Sequence, residues 1–134
     1  MIALLIFLVM PFASTPQSKH TGVSLSGTWH DEQANNDWTL TQNDADITIV
    51  NPRGVKLPGK LDNKRIKYTD QTILTDTTSA ACRPYVGQVF EFPATFKISK
   101  AGDRLERKVP DTVTKGICTI RIGQMRAVIL ARRK

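Results

Sequence analysis

At 134 residues, with 40% hydrophobic and 23% charged residues and a formal net charge of +7, the chain has room for one folded domain and not for two. These proportions exclude disorder for the bulk of the chain. The positive balance draws attention to anionic partners.

The chain opens on an unbroken apolar run, Ile2 to Met10, followed by Pro11 and the small residues Ala13, Ser14 and Thr15. The run is far shorter than the ~20 residues a membrane span requires. Its length and the small residues after it suit a secretory signal peptide over residues 1–18, although no Lys or Arg precedes it. The competing reading is a first buried strand. The expectation is a secreted or periplasmic protein, with a single domain over residues 19–134 and no transmembrane segment in the mature chain. The two cysteines agree with export. Cys82 and Cys118 are an even pair with neither a Cys-x-x-Cys spacing nor a histidine nearby, so a disulfide is expected and a metal site is not. That bridge would close a loop of about 37 residues, worth roughly 3–4 kcal/mol in the chain-entropy model.

From Val23 onward the hydrophobic pattern has period two. Trp38 and Leu40 alternate with Thr39 and Thr41; Asn43-Asp44 supplies turn chemistry; Ala45, Ile47 and Ile49 alternate with Asp46 and Thr48. This predicts a hairpin. After the breaker Pro52-Arg53-Gly54, Val55 and Leu57 share a face, and beyond Asp62-Asn63 so do Ile66 and Tyr68. Thr75 to Tyr85 is the widest irregular stretch, expected to be a loop tied by Cys82 to the strand containing Cys118. Phe90, Phe92, Ala94, Phe96 and Ile98 then line one face of the clearest strand, which Pro93 marks as an edge or a bulge. Ala101-Gly102-Asp103 turns the chain into a strand carrying Leu105 and Val109. Ile117 to Ile122 and Met125 to Ala131 read as strands around Gly123-Gln124, which forms either a turn or a bulge. Strands at this spacing, with no capped helical stripe, predict an all-β fold: a small antiparallel up-and-down barrel of eight to ten strands with one disulfide.

Ser26-Gly27-Thr28-Trp29, with Asn36-Asp37-Trp38-Thr39-Leu40 shortly after it, resembles the opening of the calycin-type barrels, the lipocalin-like and avidin-like folds. The resemblance covers about residues 25–68. It implies that Trp29 plugs one end of the barrel and that an arginine of the last strand, Arg126 in preference to Arg132, lies across it. A guanidinium on an indole face contributes ~0.5–2 kcal/mol. The mid-barrel Thr-Asp-Tyr type signature of lipocalins is missing. So are the later tryptophans of avidins, since Trp29 and Trp38 are the only two in the chain, which argues against biotin.

No Gly-x-Ser-x-Gly elbow, Walker-type loop or His-Glu-x-x-His motif occurs. In His30-Asp31-Glu32 only His30 and Glu32 share a strand face, and a solvated strand end is the plainer reading. The expectation is therefore no enzyme, cofactor or metal, but a monomeric exported binding protein. It would hold a small apolar ligand in or at the mouth of the barrel against Trp38, Tyr68, Phe90, Phe92 and Phe96. These side chains are also large enough to fill a small barrel completely. The alternative is an envelope or secreted interaction protein, an inhibitor or adaptor, that meets an anionic polymer or protein through a basic surface containing Lys64, Arg65 and Lys67. Arg53 to Lys67 holds six basic residues and one acid, and six basic residues follow Asp111 with no acid. Nucleic acid is not an expected partner of an exported chain. Arg132, Arg133 and Lys134 also serve as solubilising gatekeepers after the apolar residues 127–130.

Overall fold

The computed structural model describes residues 24–122 and 128–133. The signal-peptide segment, the Gly123-Gln124 dipeptide and Arg126 lie outside them. Ten strands are described: β1 (Gly27–Asp31), β2 (Asn36–Asn43), β3 (Asp46–Val50), β4 (Lys56–Asp62), β5 (Arg65–Ile73), β6 (Val89–Ile98), β7 (Arg104–Lys108), β8 (Thr112–Lys115), β9 (Cys118–Arg121) and β10 (Ile129–Arg132). Eight of them close an antiparallel barrel in the order β1-β10-β7-β6-β5-β4-β3-β2, while β8 and β9 form a separate hairpin. The architecture is compatible with a lipocalin-like barrel.

Turn chemistry sets the register. Asp44 and Asn63 adopt the left-handed conformation, with φ of 55° and 56°, in the tight turns β2–β3 and β4–β5. Asn43↔Asp46 and Asp62↔Arg65 are the terminal pairs of these two ladders. With register fixed, the two-residue alternation carries the core side chains inward, while Ile73, Val89 and Ile129 at strand ends stay exposed. Trp29, Ile49, Ile66, Phe96, Leu105 and Leu130 are completely buried, and Phe96 packs edge-on to Trp38 (5.5 Å) and stacked on Tyr68 (5.2 Å). The barrel interior is filled. Gly59 belongs to this packing, because a Cβ there would press on Ile66 and Tyr68 at 3.2–3.3 Å. Pro93 sits on a locally free edge: it pairs with Thr69 of β5, whereas β7 joins β6 only from Thr95 onward.

The region past Val109 departs from a simple meander. Residues 112–115, which carry no clear alternation of their own, form β8, and the β8–β9 hairpin is inserted between the neighbouring barrel strands β7 and β10. The Cys82–Cys118 disulfide ties this hairpin to the loop between β5 and β6, as the loop expectation required. Cys82, Cys118 and Phe90 form a second small core with Leu74, Tyr85, Val113 and Ile120 packed against it. Gly116, at φ +60°, makes the hairpin turn under Tyr85. A Cβ there would fall 2.0 Å from the tyrosine oxygen and force Tyr85 to move, and the positive φ would strain any other residue, so the position favours glycine.

Candidate functional site

The two ends of the barrel are built differently. At the closed end, residues 24–26 cross beneath the first strand, and Gly27 turns into β1 at φ 137°, a conformation open to glycine. The Leu25 N–H donates to Gln42 Oε1 (2.8 Å), the Trp29 indole N–H donates to the Leu25 carbonyl (3.0 Å), and Arg132 donates to the Ser24 carbonyl. The Arg132 guanidinium lies 4.8 Å from the Trp29 ring centroid. Arg132 is thus the C-terminal arginine seen across Trp29; Arg126, the preferred candidate from sequence, lies outside the described residues.

The other end is a mouth. Its rim consists of the β1–β2 turn, the β3–β4 loop, the end of β5, and the segments entering and leaving the β8–β9 hairpin. Two carboxyl- or amide-bearing side chains organise the first two of these. Asp31 accepts the N–H groups of Gln33 and Ala34 at 3.1 and 3.2 Å. Asn51 Oδ1 accepts those of Arg53 and Val55 at 3.0 and 2.9 Å. Arg53 then reaches across the rim to the Gln71 carbonyl (3.1 Å).

Inside this rim is a cavity of about 300 Å³, lined by Trp38 and Phe92, by Val109 and Val128, and by the polar side chains of Asp31, Asn36, Asp70 and Arg107 among others. Its floor is an ionic cluster. Arg107 donates through Nη2 to Asp70 and through Nε to the Tyr68 hydroxyl (3.2 Å), and that hydroxyl also donates to Asp70 (3.2 Å). The Arg107 guanidinium lies 5.9 Å from both the Trp38 and the Phe92 rings. Burial, reinforced by the Asp70 carboxylate, pushes the Tyr68 hydroxyl well above the usual tyrosine range, so it stays protonated. Burial by itself would lower Arg107, but Tyr68 and Asp70 outweigh it and hold the guanidinium firmly charged. Two valences stay open at the mouth: the Arg107 Nη1 edge makes no hydrogen bond to the described residues, and the buried Asn36 Oδ1 accepts none; at the closed end the buried Arg132 Nε is likewise without a partner among them.

The aromatic residues singled out from sequence separate into three places. Trp38, Tyr68 and Phe96 belong to the main core. Phe92 is buried at the mouth. Phe90 does not line the barrel interior: β6 runs past the end of its pairing with β7, so the same face continues beyond the rim and delivers Phe90 to the disulfide core. Lys64, Arg65 and Lys67 lie together at the β4–β5 turn of the closed end, with Lys97 beside them. His30 does not act with Glu32. It meets Asp37 on β2 through Nδ1 (2.7 Å), and Arg133 joins the same carboxylate (3.1 Å). The hydrogen bond from His30, with Arg133 added, holds the Asp37 carboxyl below its usual range.

Asn36, Asp70 and Arg107 were not reached by sequence reasoning, and Asp31 was set aside as lying on the face opposite His30 and Glu32, although a phase count contains two of the four. Asp70 follows Ile66 and Tyr68 at inward positions, and Arg107 stands between inward Leu105 and Val109. No group of three or more His, Cys, Asp or Glu among the described residues is placed to hold a metal ion. No described helix is long and apolar enough to cross a membrane. Compared with protein-family models, curated proteins and solved structures, the chain matches none.

Proposed function

We propose that this is an exported, non-enzymatic binding protein on a lipocalin-like barrel that holds a small amphipathic ligand at the mouth. One observation carries the reading: at the barrel centre Phe96 packs between Trp38 and Tyr68, while the mouth keeps about 300 Å³, the lower end of the size range of small-molecule sites. Trp38 and Phe92 supply apolar walls. The open edge of Arg107 suits a carbonyl or other acceptor, and Asn36 Oδ1 suits an N–H or O–H donor. Asp70 neutralises Arg107, which favours an uncharged ligand over an anion. The disulfide fits an oxidising compartment, and the sequence-level reading of residues 1–18 as a signal peptide points the same way.

N-phenyl-1-naphthylamine, a neutral fluorophore with one N–H donor and two aromatic bodies, is a suitable probe. Fluorescence titration should show saturable binding that changes little between 0.05 and 0.5 M salt. Asn36→Ala should weaken it about five- to tenfold, as expected for loss of one buried hydrogen bond, and Phe92→Leu should weaken it without unfolding the domain. Absence of binding, or binding indifferent to both substitutions, would sink the proposal.

A further inference from the structure

The excess positive charge is concentrated at the end of the barrel opposite the mouth. Outward positions of β5 and β6 bring Arg65 directly opposite Lys97 in the ladder. Like charges so placed repel and destabilise the pair. Successive outward residues on a strand stand about 6.6–6.8 Å apart and neighbouring strands about 4.8 Å, so Arg65, Lys67 and Lys97 form a compact triangle. Lys64 adjoins it from the turn, where its carbonyl accepts the Ile98 N–H at 2.9 Å and fixes the turn to β6. These residues line a single open groove whose one carboxylate, Asp62, is already engaged by Lys67 at 3.1 Å. Nearby acids are engaged as well: Asp46 by Lys60, and Glu106, which faces Lys97 from β7, by Lys108. Lys64 and Arg65 are left without an ion pair among the described residues, and Lys97 makes none at contact distance, although its charge helps hold the Glu106 carboxyl opposite it below the usual range. Exposed Lys100 and Arg104, on the next turn and strand, add two cations without an ion pair among the described residues, beside the exposed Asp103 carboxylate, which accepts from Ser99 Oγ at 2.9 Å.

We infer that this groove is a binding site for the phosphate or sulfate groups of a linear polyanion, independent of the ligand site at the mouth. Cations converging from two strands and a turn, on a rigid ladder and with repulsion to relieve, match an anion bearing several acceptor oxygens. The extension toward Lys100 and Arg104 matches a chain of such groups. A lipid surface fits less well, because membrane binding combines basic with inserting apolar residues. Of the exposed large apolar side chains, Ile73, Val86, Val89 and Ile117 belong to the mouth end, and Ile129 stands on β10 opposite Glu106, outside the groove lining. Stacking platforms for single-stranded nucleic acid are also missing from the groove, whose described lining contains no aromatic residue.

The test uses long-chain inorganic polyphosphate as probe, with titration calorimetry on the folded protein. The triple variant Lys64→Gln, Arg65→Gln, Lys97→Gln is compared with a control, Lys56→Gln, Arg83→Gln, Arg121→Gln, which loses the same charge elsewhere. Polyphosphate should bind the parent protein, and binding should weaken as salt rises because counterions are released. The groove variant should lose at least tenfold in affinity and the control less than threefold, with thermal midpoints of both close to the parent. Equal losses in the two variants would show that net charge alone is read and would overturn the site. So would absence of binding at 50 mM salt, or tighter binding to phosphatidylglycerol vesicles or to oligothymidylate than to polyphosphate.

Discussion

The closed end and the mouth solve the same problem, how to finish a small barrel, in opposite ways. At the closed end a single large apolar side chain, Trp29, fills the opening. Its one polar atom is satisfied by a backbone carbonyl four residues upstream, and Arg132 covers the ring. One buried polar atom there, Arg132 Nε, lacks a hydrogen-bond partner among the described residues, and the opening itself is occupied by the indole. At the mouth the side chains nearest the core are Tyr68, Asp70 and Arg107, an ion pair and a hydroxyl that must be desolvated together. Replacing such groups by well-packed apolar residues is often neutral or stabilising. An end that keeps charged groups beside a cavity, while the other end of the same barrel is sealed by indole, is what the proposed ligand site at the mouth calls for. The disulfide follows the same division. It joins the two long excursions of the mouth end, and the closed end uses only tight turns.

Three perturbations would break or sharpen this contrast. The largest effect belongs to Trp29→Ala. Loss of a completely buried indole should cost about 3–5 kcal/mol, measured by denaturant unfolding, and should leave probe affinity at the mouth within about twofold once folded protein is selected. A matching fall in affinity would mean that the two ends are not independent.

Removal of the disulfide by Cys82→Ala with Cys118→Ala should cost roughly 3–4 kcal/mol by the chain-entropy argument. Hydrogen exchange should show the accompanying loss of protection first in residues 74–88 and in the β8–β9 hairpin, with the β2–β3 and β4–β5 ladders protected longest. Uniform loss across the barrel would show that the disulfide core and the barrel unfold as one unit.

The smallest effect is a pH response. The folded protein holds the Tyr68 proton more tightly than the unfolded chain, whose tyrosines titrate near about 10. The stabilisation is therefore fully present below about pH 10 and declines as pH rises above it, because the native state then binds more protons than the unfolded one. Unfolding at a series of pH values from 8 upward should show this decline in the parent and a shallower one in Tyr68→Phe. Equal slopes would mean that the Tyr68 hydroxyl is not the group responsible.

Much of the frame was legible from residues alone. Alternation in Trp38–Leu40, Ile47–Ile49, Ile66–Tyr68 and Phe90–Ile98 defined strands and their inward faces, because a pleated strand offers successive side chains to opposite sides. Asn43-Asp44 and Asp62-Asn63 marked tight turns, because these residues tolerate positive φ. The cysteine pairing followed from having two cysteines and no other chemistry for them. Tertiary structure alone decided the rest. Whether five aromatic residues enclose a cavity or fill a core depends on barrel closure and strand length, and β6 overrunning β7 is what removed Phe90 from the interior. Strand β8 escaped notice because residues 112–115 are largely exposed and take their order from β9 and the disulfide rather than from a buried face. The ionic cluster needed three dimensions above all. Asp70 and Arg107 are 37 positions apart, and a charged residue at an inward phase looks like an error of pattern until the fold supplies its partner.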